Sequence, residues 1–139
     1  MSEEEELFLV DGSGFIFRAY FAMAYSGRGG MTNPEGVPVS AVFGFTQMLL
    51  KLLKDYHAPY LAVIFDPKGG SFRNNLYDEY KANRDAPPED LIPQFPLVRD
   101  ATRAFDIPAL ELEGYEADDL IAAYAKLAVE KGKKVTIVS

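Results

Sequence analysis

Residues 7–12 read Leu-Phe-Leu-Val-Asp-Gly, a four-residue apolar run that ends in an acid and a glycine. A short apolar run bounded by a turn signal predicts a buried strand. The same arrangement returns at Tyr60–Phe65, which is followed directly by Asp66 and Pro67. The two runs therefore predict two buried strands, each of which leads straight into an aspartate.

Helical segments alternate with these strands. The predicted helices cover Phe15–Met23, Ser40–Tyr56 with Ser40 as N-cap, Glu89 or Asp90 to Phe105, and Glu116–Lys131. Further strands are predicted at Ala109–Leu112 and Val135–Val138. Prolines 93 and 96 are expected to disturb the first turns of the third helix. This alternation predicts an α/β fold, a mostly parallel sheet with helices on both faces, truncated after the fourth strand.

Two sets of apolar side chains are expected to pack in the core. The first is one face of the last helix, formed by Leu120, Ile121, Tyr124, Leu127 and Ala128. The second is a group of phenylalanines, which we interpret as core residues and not as nucleotide-stacking residues: Phe15, Phe17, Phe21, Phe43 and Phe45.

The composition indicates a single globular domain over residues 1–139. Hydrophobic residues make up 48% and charged residues 25% of the chain. Residues 1–6 are acidic where a secretory signal would be basic and then apolar, and we expect them to form a disordered tail. No apolar run reaches the length of a membrane span, and no cysteine is present. We therefore expect a cytoplasmic protein with no membrane partner and no disulfides.

A net charge of −7 argues at first against a nucleic-acid partner, because phosphate binding depends on Lys and Arg. Four of the negative charges lie at Glu3–Glu6, and five more belong to the acidic cluster described next. Without these two groups the rest of the chain is slightly positive. The net charge therefore excludes neither DNA nor any other partner.

Five acids are candidates for one metal site. Asp11 and Asp66 end two strands, and sites in open α/β sheets form at the carboxyl ends of strands. Glu116, Asp118 and Asp119 start a helix, where acids also serve simply as caps and dipole partners. Five facing carboxylates would repel one another unless cations lie among them, and Mg²⁺ or Mn²⁺ prefers such oxygen ligands. Without cysteine and with one histidine, a thiolate or multi-histidine zinc site is excluded.

Seven blocks along the chain resemble the 5′-nuclease domain of bacterial DNA polymerase I. They come in the family's order with similar spacing and cover nearly the whole chain after Glu6. The blocks are Leu9–Ser13, Phe17–Tyr20, Ala41–Phe45, Val63–Asp66, Ser71–Arg73, Tyr80–Arg84 and Gly114–Leu120.

The resemblance implies a 5′→3′ exonuclease and flap endonuclease that acts in replication and repair on DNA with a 5′ flap, a nick or a single-stranded 5′ end. It implies two Mg²⁺ or Mn²⁺ ions held by the family's metal-binding carboxylates, which match the five acids one by one. It also implies a bacterial, nucleoid-associated protein whose parent is fused to a polymerase domain. Further metal-binding acids of the family lie beyond the position of Ser139, so the resemblance gives this chain the first half of the site.

The resemblance places an arch or clamp over residues 67–88, through which a single-stranded 5′ end passes. Within it, Lys81 and Arg84 would hold the scissile phosphate as catalytic residues, Arg73 would add a phosphate contact, and Tyr80 would stack on a base. Arg18 is a further DNA-binding candidate, although it could instead pair with a nearby acid. Lys81 and Arg84 also have a simpler interpretation, a solvated helix face paired with Asp78 and Glu79.

Two alternatives to the nuclease hypothesis remain open. The first is an inactive fragment that binds metal or DNA without turnover, which the missing downstream acids favour. The second is a different acidic-site phosphohydrolase that uses Asp11 as nucleophile. Enzymes of that kind typically carry a second aspartate two residues later, where this chain has Ser13.

Overall fold

One parallel sheet organises the part of the chain that this computed structural model describes, residues 6–56, 60–67 and 87–139. In chain order the elements are β1 (Glu6–Asp11), α1 (Gly12–Tyr25), α2 (Ser40–Tyr56), β2 (Tyr60–Ile64), α3 (Gln94–Ala104), β3 (Ala109–Leu110), α4 (Ala117–Glu130) and β4 (Lys134–Val138). The predicted α/β class is confirmed. β1 begins at Glu6, a residue that the sequence analysis assigned to the tail. No helix within these ranges is long and apolar enough to cross a membrane.

The described residues divide into two compact units. Residues 6–13, 60–67 and 109–139 form the first unit, which holds the sheet and α4. Residues 14–56 and 87–108 form the second unit, which holds α2, α3 and most of α1.

The strand order of the sheet is β3-β2-β1-β4, and every neighbouring pair is parallel. The chain proceeds from β1 to β2 to β3 in one direction and then returns to the other side of β1. The order therefore reverses at β1. In open α/β sheets the crevice outside the carboxyl ends of strands at such a reversal is the usual ligand site.

The core of the first unit lies between the sheet and α4. Leu9, Ala62 and Ile64 pack with Ala117 and Ile121 of α4. Residues that alternate with these on the two central strands are buried as well, namely Phe8, Val10, Leu61 and Val63. Both faces of β1 and β2 are thus excluded from water, which explains why their sequences are continuous apolar runs without alternation.

The buried stripe of α4 is narrower than predicted. Ile121 and Ala128 are buried and Leu120 is half-buried, but Tyr124 and Leu127 are 39% and 50% exposed. The prediction was wrong for these two residues, because the helix meets the sheet along a stripe of mainly small side chains. Gly132 ends the helix as predicted: it has a positive φ of 77°, and the Lys133 N–H donates to the Ala128 carbonyl.

The prediction of five core phenylalanines was right for two of them. Phe15 and Phe45 are buried and meet edge to face with ring centroids 6.4 Å apart. Phe17, Phe21 and Phe43 are exposed, at 36%, 48% and 36%. The buried positions of α1 follow one stripe through Phe15, Ile16, Ala19 and Met23, so Phe17 and Phe21 lie off that stripe.

The start of α2 is capped by a residue from a distant part of the chain. The Gln94 Oε1 atom accepts hydrogen bonds from the N–H groups of Ala41 and Val42, at 2.6 and 3.1 Å. Its Nε2 atom donates to the Asp90 carbonyl at 2.9 Å and lies 3.5 Å from Ser40 Oγ. Ser40 does begin the helix, but the oxygen that accepts from its first turn belongs to Gln94 and not to the predicted serine cap.

The third helix starts later than predicted, directly after Pro93, whereas Pro96 is accommodated in its first turn. A turn at residues 89–93 precedes it, and α3 starts at Gln94 directly after Pro93. Because the turn ends at Pro93, Gln94 is the first residue of α3, and from there its side-chain amide contacts the start of α2.

We expect Gln94→Met to lower the free energy of unfolding by about 2–3 kcal/mol, because it leaves buried N–H groups at the start of α2 without an acceptor while preserving side-chain volume. Urea denaturation followed by far-ultraviolet circular dichroism would measure this loss. The matched control is Gln47→Met on the exposed side of the same helix. Equal losses in the two variants would contradict the capping role.

Candidate metal centre at the carboxyl edge of the sheet

The pairing of β1 with β2 brings the first two candidate acids to the same edge. Asp11 is the last residue of β1 and lies opposite Ile64, the last residue of β2. Phe65 continues the line of β2 by donating its N–H to the Leu110 carbonyl at 2.8 Å. Asp66 follows at once. Because the strands are parallel neighbours, both aspartates leave the sheet at its carboxyl edge.

Asp66 is anchored through both its main chain and its side chain. Its N–H donates to Ser13 Oγ at 3.0 Å. Its Oδ1 atom accepts a hydrogen bond from the Ala117 N–H at 2.8 Å. Asp66 therefore connects the start of α1, the end of β2 and the start of α4. The first bond holds the main chain of Asp66, and the second orients its carboxylate.

The other three acids form the start of α4. Glu116 is the N-cap, with extended backbone angles, and its N–H donates to the Asp119 Oδ2 atom at 2.9 Å in a capping box. Gly114, with a φ of 90°, allows the tight turn that precedes them. Glu116 is buried, whereas Asp118 is exposed. The expectation that acids at this helix start cap free N–H groups is therefore correct for Asp119.

The electrostatics of Asp118 link all five acids. Desolvation raises the pKa of Asp118 above its usual value, and the charges of the four other acids raise it further. In decreasing order of effect these charges belong to Asp11, Asp66, Glu116 and Asp119. The five residues singled out from the sequence thus lie within electrostatic reach of one another.

The donor chemistry fits a hard divalent cation. All five side chains offer carboxylate oxygens, and the chain contains no cysteine. Within the described ranges, no three acidic or histidine side chains are arranged around a single point as ligands of one ion. Mg²⁺ usually keeps several waters and takes one or two protein carboxylates, so the site fits an ion held partly through water.

Four of the predicted DNA-contacting residues lie outside the described residues: Arg73, Tyr80, Lys81 and Arg84. The same holds for most of the predicted arch at residues 67–88. Arg18 is described. Its side chain is exposed, and its guanidinium lies 5.5 Å from the centre of the Phe15 ring.

Residues 6–139 match the protein family described as 5′-3′ exonuclease, N-terminal resolvase-like domain. The chain belongs to this family. DNA polymerase I of Rhizobium leguminosarum is 54% identical over 146 residues, which cover 100% of this chain and 14% of that protein. The 5′-3′ exonuclease of Aquifex aeolicus is 38% identical over 96% of this chain and 44% of its own length. The family resemblance inferred from the seven blocks is confirmed.

Solved structures of the bacteriophage T5 D15 protein share the fold of this 5′-3′ exonuclease family member. One is a flap endonuclease in a pseudo-enzyme-product complex with DNA and metal ions, with a TM-score of 0.64 and 29% identity. Another was co-crystallised with metal ions and has a TM-score of 0.63 and 25% identity. Each alignment covers 96% of this chain, which spans 48% and 47% of those two chains.

Ser13 and the N–H group of Ala117 both contact Asp66, and neither contact was predicted from the sequence. From the sequence, Ser13 was noted as the end of the block Leu9–Ser13 and as the position where another enzyme class carries an acid, but it was given no role of its own. The contact between Ser13 and Asp66 joins residues 53 positions apart, so no local sequence pattern predicts it.

We expect Asp118→Asn to stabilise this 5′-3′ exonuclease family member in metal-free buffer at pH 7. The raised pKa means that folding disfavours the ionised carboxylate, so a neutral side chain should add roughly 0.5 kcal/mol, the scale of exposed charge interactions. The gain should vanish as the pH falls below 3.8, the usual pKa of an aspartate, because Asp118 is then protonated in both states.

Thermal unfolding of the wild type and of Asp118→Asn, measured from pH 7 to below pH 3.8, gives the change in stability and its pH dependence. Asp55→Asn is the control, since Asp55 lies at the end of α2 in an exposed ion pair with Lys51 at 3.7 Å. A loss of stability on Asp118→Asn at pH 7 would contradict the desolvation of Asp118 and its repulsion by the four other acids.

Proposed function

We propose that this chain is part of a metal-dependent 5′→3′ exonuclease and structure-specific 5′ flap endonuclease that acts on DNA in replication and repair. The observation that carries the proposal is that five carboxylates lie within electrostatic reach of one another at the carboxyl edge of the sheet, where desolvation and the charges of the four other acids raise the pKa of Asp118. Family membership supports a nuclease. The DNA and metal ions in the complex of the phage flap endonuclease support the substrate class and the cofactor.

The proposed cofactor is Mg²⁺ or Mn²⁺, with two ions in the intact domain. The residues proposed to hold them directly or through water are Asp11, Asp66, Glu116, Asp118 and Asp119. Such ions, when bound, activate water and stabilise the charge of the phosphate during hydrolysis. The Asp66 and Asp119 carboxylates each accept a main-chain N–H bond at the start of α4, which holds them in place at the site.

Binding and orientation of DNA are assigned to basic and aromatic residues. We propose that Lys81 and Arg84 hold the phosphate to be cleaved, that Arg73 contacts a further phosphate, and that Tyr80 stacks on a base. Arg18 is proposed to contact DNA, and its exposure leaves the guanidinium accessible to a phosphate. These cations would supply the phosphate contacts that the overall charge of −7 does not suggest.

The chain spans 14% of the Rhizobium polymerase I and 44% of the Aquifex exonuclease. The activity of a whole protein of that length, its fusion to a polymerase domain and its place on the bacterial nucleoid in the cytoplasm are therefore proposals. The second candidate function is metal or DNA binding without turnover.

A third candidate, a phosphomonoesterase with Asp11 as nucleophile, has less support. Ser13 occupies the position of the second acid in such enzymes, and its oxygen accepts the Asp66 N–H. A flap-cleavage assay separates this candidate from the nuclease, since a small-substrate phosphatase would not distinguish a 5′ flap from intact duplex.

We expect millimolar Mn²⁺ to raise the melting temperature of the wild-type chain, because an ion that binds only the folded state stabilises it by mass action. Asp66→Asn should abolish most of this rise. Asp100→Asn, which changes an exposed aspartate on α3, should leave it intact. A wild-type melting temperature that does not change with Mn²⁺ would contradict an assembled metal site.

We expect a protein of the relatives' full length to cleave 5′-flap DNA in a Mg²⁺-dependent manner and to prefer the flap over intact duplex. Asp119→Ala should abolish cleavage and leave much of the DNA affinity, because it removes a metal-site carboxylate and no phosphate contact. Lys81→Ala or Arg84→Ala should slow cleavage by about a hundredfold or more while the Mg²⁺ dependence is retained.

Gel-based cleavage of a labelled flap, with binding measured in Ca²⁺ by fluorescence anisotropy, distinguishes these effects. The 139-residue chain alone is expected to be feeble or inactive in the same assay. Cleavage by the short chain as fast as by the long one would refute the assignment of essential acids beyond Ser139.

A further inference from the structure

The hydroxyl of Ser13 occupies the place of a missing strand partner. Asp11 lies opposite Ile64 in the β1–β2 register, so extending both strands by two residues would set Ser13 opposite Asp66. The chain does not extend as a strand, because α1 starts at Gly12. The Asp66 N–H therefore has no β1 carbonyl to meet, and it donates to Ser13 Oγ at 3.0 Å.

Gly12 makes this geometry possible. A Cβ atom at this position would lie 2.6 Å from the Phe65 ring and 2.7 Å from a Val63 methyl group. Only a glycine lets the first turn of α1 approach the end of β2 so closely. Ser13, the next residue, is thereby brought within hydrogen-bond distance of the main chain just beyond Phe65.

The effect of Ser13 is carried onward by Asp66. The same residue whose N–H is held by Ser13 accepts the Ala117 N–H on its Oδ1 atom at 2.8 Å. Fixing the main chain of Asp66 limits the directions in which its carboxylate can point. The Ala117 bond then selects one of these directions, toward the start of α4 and its acids.

We propose that Ser13 is a positioning residue, whose hydroxyl holds Asp66 so that the Asp66 carboxylate serves the cation site and the start of α4 together. This inference rests on the proposed function. It assigns Ser13 no contact with metal or substrate. Partners that orient a metal-binding carboxylate by hydrogen bonding typically contribute tenfold or more to metal affinity.

The test compares Ser13→Ala with Ser13→Thr, which retains a hydroxyl, in the whole chain. Ser13→Ala should weaken Mn²⁺ binding about tenfold, as measured by electron paramagnetic resonance of free Mn²⁺. It should also speed amide exchange at Asp66 and Ala117 in metal-free protein. Ser13→Thr should bring both the Mn²⁺ affinity and the amide exchange rates back toward the wild-type values. Ser26→Ala is the control, because the Ser26 hydroxyl donates to the Met23 carbonyl at the end of its own helix.

The outcomes separate this proposal from the proposed function. If the wild type binds no Mn²⁺, the proposed function fails, and unchanged exchange at Ala117 in Ser13→Ala would overturn the positioning role as well. Faster exchange with unchanged Mn²⁺ affinity would show that Ser13 serves the fold and not the site. Loss of folding in Ser13→Ala would overturn the proposal in the same way, since the residue would then hold more than Asp66.

Discussion

The parallel pairing of β1 with β2 is the constraint on which the rest of the site depends. Its register sets Asp11 opposite Ile64 and so places two strand ends side by side. Both strands are buried on both faces, so a slip of one residue would replace the side chains of Leu9, Ala62 and Ile64 that pack against α4. It would also separate the Asp66 N–H from Ser13 Oγ. The positions of the acids that follow the strands are therefore set together with the register.

The acids at this edge combine two physical roles that usually compete. As hydrogen-bond acceptors, Asp66 and Asp119 satisfy N–H groups at the start of α4, where the helix dipole also favours negative charge. As like charges, the five acids repel one another, and desolvation together with this repulsion raises the pKa of Asp118. Capping offsets part of the cost of assembling the cluster. A structural interpretation of these acids and a functional one are therefore compatible.

Much of the fold follows from local sequence. α2 was predicted to end at Tyr56, as observed, because its apolar positions repeat at helical spacing; Ser40, predicted as its N-cap, is instead its first residue. β1 and β2 were predicted from continuous apolar runs. The errors concern exposure: Phe17, Phe21 and Leu127 are apolar but lie off the buried stripes of their helices. Hydrophobicity alone does not reveal which side of a helix has a neighbour, because that neighbour comes from another part of the chain.

The sequence by itself determined which side chains are available for chemistry and in which elements they lie. It identified two aspartates at strand ends, three acids at a helix start, and the absence of cysteine. Only the tertiary structure decided how these groups are held. Gln94 caps α2 from 53 residues away, and Asp66 joins Ser13 to Ala117 across separations of 53 and 51 residues. No periodicity or spacing in the sequence predicts such contacts, because their geometry arises only when strands and helices pack together.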